Sequence, residues 1–192
     1  EFARENEIEI FFFFSWMTNA FIADYMADAL IENGFTNGYL TSYDGYVRNL
    51  YKGEETFSLN LFHREGKDVF MPAVLQYSGG NSVVTLRDFP MNMGDSWRYY
   101  TYEDGRIVTT MLEPSTAAAK STVSAMTCYS QQKSCSEILM EMMSVYFGDS
   151  LDVAALNSLK TQQIYTVYAQ GKKVCTNDSV DSLKLVPEQN YT

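Results

Sequence analysis

Short turns built on glycine divide this chain into β-rich runs, and that punctuation constrains the fold more than any other feature. Asp44-Gly45, Glu65-Gly66, Ser78-Gly79-Gly80-Asn81, Asp104-Gly105 and Gln170-Gly171 each follow or precede segments rich in Tyr, Thr, Val, Phe and Ile. Glycine readily takes the positive φ that tight turns need, so these runs read as short strands separated by tight turns. The runs are Gly38–Leu50, Phe57–Phe62, Asp68–Tyr77, Ser82–Arg87, Ser121–Cys128, Ile164–Ala169 and Lys172–Thr176. Ser96–Glu103 and Arg106–Met111, joined at Asp104-Gly105, form the strongest hairpin signal. Ile8–Phe14, with consecutive phenylalanines, also reads as a strand.

Helices are fewer. Thr18–Asn33 carries Phe21, Ile22, Tyr25, Met26, Ala29 and Leu30 at helical spacing, a stripe expected to face the core. Thr18 or Asn19 suits its start, and Gly34 suits its left-handed end. Ser136–Phe147 repeats the pattern with Ile138, Leu139, Met142, Val145 and Tyr146, and Asp152–Lys160 is a third, shorter helix. The order β, α, many β, then α, α, β predicts an α+β fold, a largely antiparallel sheet with flanking helices. With no internal repeat or low-complexity tract, residues 1–192 read as a single domain.

Charge narrows the partners. A formal net charge of −10 and a pI near 4.5, with no Lys/Arg cluster, exclude nucleic-acid binding and attraction to an anionic membrane surface. No apolar run approaches the roughly 18 residues of a spanning helix. The first residues, Glu-Phe-Ala-Arg, contain neither an initiator Met nor a signal peptide, so the natural start is expected to lie elsewhere.

Single residues that bear chemistry have structural readings too. His63, the one histidine, sits at a strand end with no partner visible in sequence. Cys128 and Cys135 are separated by a short polar stretch, between a strand end and a helix start. They are expected within the ~7 Å Cα separation a disulfide needs, which would suit an oxidising compartment; two free thiols are the alternative. Cys175 reads as a packed strand residue. The 14 tyrosines serve sheet packing or an aromatic binding surface. Asp24 and Asp28 share a helix face and read as solvated.

A more specific pattern runs from Asn92-Met93-Gly94-Asp95-Ser96-Trp97-Arg98-Tyr99 through the Asp104-Gly105 turn to Thr110-Met111-Leu112-Glu113-Pro114-Ser115-Thr116, then a strand and a helix. Upstream stand Asn19-Ala20-Phe21-Ile22-Ala23-Asp24 and Asp44-Gly45-Tyr46-Val47-Arg48. In order and spacing, these blocks resemble the C-terminal half of the FAD:protein FMN transferases, the ApbE family, over about Asn19 to Gly148. The family patterns are K-G-x-x-x-D, G-G-D-I-R, T-S-G-D-Y-x-R-Y, H-x-x-D-P-x-T-G and A-D-x-x-x-T.

The resemblance implies an ApbE-like scaffold without the family's N-terminal half. It also implies a flavin-nucleotide pocket formed by Asn92, Gly94, Asp95, Thr110, Glu113 and Thr116, with FAD as the cofactor. The departures imply lost catalysis and no metal. Asn19-Ala20 replaces Lys-Gly, Asn92-Met93 replaces Thr-Ser, and Thr110 replaces the histidine. Glu113 replaces the aspartate, Ala117 the glycine, and Ser136 and Met140 fall on the metal-binding Asp and Thr. The favoured expectation is therefore a non-catalytic divergent member that keeps a flavin pocket. The alternatives are an active transferase drawing ligands from Asp95, Glu113 or Glu137, and an extracytoplasmic interaction module that binds a partner protein.

Overall fold

The computed structural model describes residues 2–7, 15–51, 53–91, 96–109, 111–113, 116 and 118–192. Its helices are α1 (Phe2–Glu5), α2 (Ser15–Glu32), α3 (Cys135–Tyr146) and α4 (Val153–Thr161). Its strands are β1 (Tyr39–Thr41), β2 (Tyr46–Asn49), β3 (Thr56–Glu65), β4 (Asp68–Ser78), β5 (Ser82–Arg87), β6 (Tyr99–Thr101), β7 (Ile107–Thr109), β8 (Ala125–Ser130), β9 (Tyr165–Gln170), β10 (Lys173–Thr176) and β11 (Leu183–Leu185). The fold is α+β and every strand pair among the described residues is antiparallel. Four of the glycine turns join paired strands, whereas Ser78–Asn81 carries the chain from β4 in one sheet to β5 in another. The strand expected at Ile8–Phe14 lies outside the described residues.

One sheet has the order β1-β2-β5-β8-β9-β10, a second has β11-β4-β3, and β6-β7 form a separate ribbon. Helices α2, α3 and α4 cover one face of the large sheet, and β3 crosses behind β8 and β9 on the other. Two cores result. Between helices and sheet, Tyr46, Val84, Met126, Ile138, Leu139, Met142 and Ile164 are fully buried. Between the sheets, Leu61, Ala73, Leu75, Val83, Tyr129 and Val167 pack together. No helix among the described residues is long and apolar enough to cross a membrane.

The second long helix follows its sequence closely. Ser134 accepts from the N–H of Glu137 while the Glu137 carboxylate accepts from the N–H of Ser134, a capping box that starts α3 one residue before the expected Ser136. Its stripe of Ile138, Leu139, Met142, Val145 and Tyr146 is buried as predicted. Asp152 caps α4 by accepting from Ala154 and Ala155 N–H.

Helix α2 corrects its prediction. It exists and ends as expected, with Gly34 at φ +83°, but the stripe expected to face the core faces solvent. Tyr25 is 77% exposed, and Phe21, Ile22 and Met26 are close to half exposed. The inward face carries Met17, Ala20, Ala23, Asp24 and Ala27. Alanines let the α2 backbone approach closely, and Asp24 brings that face inward by binding β2 and α3, described below.

The cysteine pairing is also corrected, since Cys128 and Cys135 are both free and buried. Cys128 lies 3.3 Å from Thr166 Oγ1, and Cys135 donates to Val47 O at 3.4 Å. Each thiol thus has its own partner. With the disulfide goes the cysteine-based hint of an oxidising compartment.

Candidate functional site

Three of the five blocks that carry the sequence pattern meet where α2, β2 and α3 converge. On α2, Asp24 accepts Arg48 Nη1 at 2.6 Å through Oδ1, and the same oxygen accepts the Cys135 N–H at 2.8 Å. Its Oδ2 accepts the Ser136 N–H at 2.8 Å. Asp24 is 8% exposed, so the expectation of a solvated carboxylate is overturned. Asp28 remains exposed and joins Arg48 Nη2 at 3.2 Å. Burial works to raise the Asp24 pKa, but hydrogen bonds from Ser136, Arg48 and Cys135 outweigh it and hold the carboxyl below its ordinary value. A carboxylate at the first N–H groups of a helix is favoured by their orphan donors and by the macrodipole.

A second buried pair stands one turn back along α2. Arg98 Nη1 lies 3.4 Å from Asp44 Oδ2, with both side chains under a tenth exposed. The Asp44 carboxylate also accepts from Asn19 Nδ2 at 2.7 Å and from the Ser42 hydroxyl. Gly45, beside it, has φ +105°, and a Cβ there would stand 2.3 Å from Thr85 O. Close approach of β5 therefore requires glycine, and the Thr85 N–H donates to Gly45 O at 2.8 Å. A recess of about 270 Å³ opens beside Asp44 between α2 and β1, with Ile22, Met26 and Leu40 on its apolar walls and Asn19 and Asp44 on its polar side.

Of the residues expected to contact flavin, Asn92, Gly94, Asp95 and Thr110 lie outside the described residues. Glu113 and Thr116 share one turn, where the Thr116 N–H donates to Glu113 O at 3.2 Å. The Glu113 carboxylate pairs with Lys120, which also reaches Asp149 at 3.0 Å. Thr116 is exposed, and its hydroxyl accepts the Ala118 N–H. Glu137, an alternative ligand, is committed to the α3 capping box and pairs with Lys133 at 3.4 Å.

His63 does have a partner, contrary to the sequence reading. Ser124, on a distant segment, lies 2.9 Å from its Nδ1 and accepts the Arg64 N–H at 3.1 Å. Nε2 faces Glu65 Oε1 at 3.6 Å. Burial lowers the His63 pKa despite that carboxylate. At 6% exposed, the ring is buried and ties β3 to the segment that enters β8.

No protein-family model matches the chain, and comparison with curated proteins gives no match. A solved structure with a similar fold is the ApbE protein of Thermotoga maritima MSB8, with a TM-score of 0.57 and 12% identity. The match covers 80% of this chain and 47% of that one, so this chain spans about half the length of that protein. The fold is ApbE-like. Within this ApbE-like scaffold, the donors at the positions the sequence resemblance assigns to a metal do not fit a hard divalent ion. Met140 is a thioether pointing outward at 57% exposed, and the Ser136 hydroxyl bonds Ser134 Oγ at 3.2 Å. Both Asp24 oxygens face N–H or guanidinium donors.

Proposed function

We propose that this chain is a divergent ApbE-like protein that has given up FAD:protein FMN transfer and keeps the scaffold. The observation that carries this reading is the commitment of Asp24. Its two oxygens take Arg48 and the first N–H groups of α3, so the buried carboxylate ties α2 to β2 and α3. Cleaving a pyrophosphate leaves charge on the departing phosphate, and a divalent ion held by oxygen ligands is the usual means of stabilising it. Thr110, in the place of an imidazole, offers no base near neutral pH. Incubation with FAD, Mg²⁺ and an acceptor protein should give neither FMN attachment nor AMP release. Covalent FMN on the acceptor would overturn the reading.

Flavin binding is separable from turnover, because stacking and backbone hydrogen bonds need no metal. The reading assigns FAD contact to Asn92, Gly94, Asp95, Thr110, Glu113 and Thr116. Titration followed by flavin fluorescence should saturate, and an unsaturable signal would remove this half of the proposal. A second reading, a protein-interaction module, is favoured by the outward apolar face of α2. An unchanged pull-down profile after Phe21→Ser and Tyr25→Ser would remove it.

A further inference from the structure

Away from α2, the junction of the two sheets holds a cavity of about 330 Å³. Its walls take Tyr77 from the end of β4, Tyr129 from β8 and Tyr165 from the start of β9. They also take Asp178 from the segment after β10, and side-chain amides at Gln131 and Gln163. Among the described residues, no lysine or arginine lines it.

These groups are held in place. The Tyr129 hydroxyl donates to Asp178 Oδ2 while its ring, 5% exposed, packs 5.6 Å from that of Tyr165. The Asp178 N–H donates to Thr176 Oγ1 at 3.0 Å, which fixes the backbone beneath the carboxylate. Gln131 donates its amide to Ser78 O at 3.2 Å, and the Tyr165 hydroxyl donates to Gln163 Oε1 at 3.4 Å. Each amide therefore has one end anchored to the protein, with its opposite end of complementary hydrogen-bonding character.

The chemistry of this wall defines its ligand. Tyrosine rings favour an apolar C–H surface, while amide and carboxylate groups demand several hydroxyls that both donate and accept. A carboxylate without a neighbouring cation repels phosphate and carboxylate ligands. An ammonium cage would need ring faces arranged around a cation, but Tyr129 and Tyr165 pack against each other. The volume stands at the small end of the roughly 300–1,000 Å³ typical of ligand pockets. We propose that this cavity binds a neutral saccharide, a unit of one or two rings, with its C–H face on the Tyr165 ring and its hydroxyls on Asp178 and the amides.

The test is saturation-transfer NMR and isothermal titration of the full chain with glucose, galactose, N-acetylglucosamine and maltose, alongside glucose 6-phosphate and choline. At least one neutral sugar should bind saturably and about tenfold more tightly than glucose 6-phosphate, which corresponds to ~1.4 kcal/mol. Tyr165→Ala and Asp178→Asn should each weaken that sugar at least tenfold. Gln163 is exposed, so Gln163→Ala keeps the fold intact and should weaken the sugar severalfold. Three results would overturn the proposal: no saturable sugar up to tens of millimolar, choline binding more tightly than every sugar, or sugar binding untouched by both Gln163→Ala and Tyr165→Ala.

Discussion

Helices α2 and α3 lie side by side on the same sheet, and both carry large apolar residues at helical spacing, yet they attach by opposite means. Helix α3 buries Ile138, Leu139 and Met142 completely. Helix α2 turns Phe21, Ile22, Tyr25 and Met26 outward and rests on alanines. What positions α2 is polar: Asp24 bridges to Arg48 on β2 and to the α3 N-terminus, while Asn19 reaches Asp44. An apolar period therefore identifies a helix without identifying its inner face. Where a helix has small residues on one side and large ones on the other, a buried ion pair can decide which side turns in.

The contrast is sharpest at Arg48. Removing one partner of a buried pair strands the other charge, which costs about 3–5 kcal/mol. Arg48→Ala should therefore lose that much stability in urea unfolding, and a loss below about 1 kcal/mol would break the comparison. Asp24 adds a pH signature with a fixed sign. Its folded pKa is depressed below the ordinary 3.8. Its contribution is thus present in full above that value and disappears as pH falls through the lower folded value. An Asp24→Asn variant should have a flatter unfolding free energy across that acid window.

On α3 the expected loss comes from packing. Leu139→Ala or Met142→Ala removes a fully buried side chain and should cost about 2–5 kcal/mol by urea denaturation. Ser134→Ala deletes one half of the capping box and should cost about 0.5–2 kcal/mol in the same measurement. At the small end, Phe21→Ala and Tyr25→Ala on α2 should change stability by no more than about 0.5 kcal/mol, as expected away from the core. A larger loss would mean that the outward stripe packs after all.

Sequence was informative where structure is local. The glycine turns locate most strands within a residue or two, because a positive-φ turn constrains both neighbours. The buried stripe of α3 was equally legible. The Leu183–Leu185 strand was not, since a three-residue Leu-Lys-Leu run has no alternation long enough to read. The Asp104-Gly105 hairpin is shorter than expected because Ser96–Arg98 forms a 3-10 turn. At the candidate site, the matched blocks included Asp24, Arg48 and Arg98, but their roles were hidden. Asp24 meets Arg48 across 24 positions and Cys135 across 111, distances over which sequence spacing carries no contact information. The Ser124 partner of His63 and the Tyr129–Asp178 bond were hidden for the same reason.

The most direct test of the account is a double-mutant cycle on Asp24→Ala and Arg48→Ala, read by urea unfolding. Residues that form one hydrogen-bonded network couple by about 0.5–3 kcal/mol. The account predicts coupling in the upper half of that range, with the double variant much less destabilised than the sum of the single ones. Additive single effects, each within about 0.5 kcal/mol, would mean that Asp24 is not committed to holding α2 against β2 and α3.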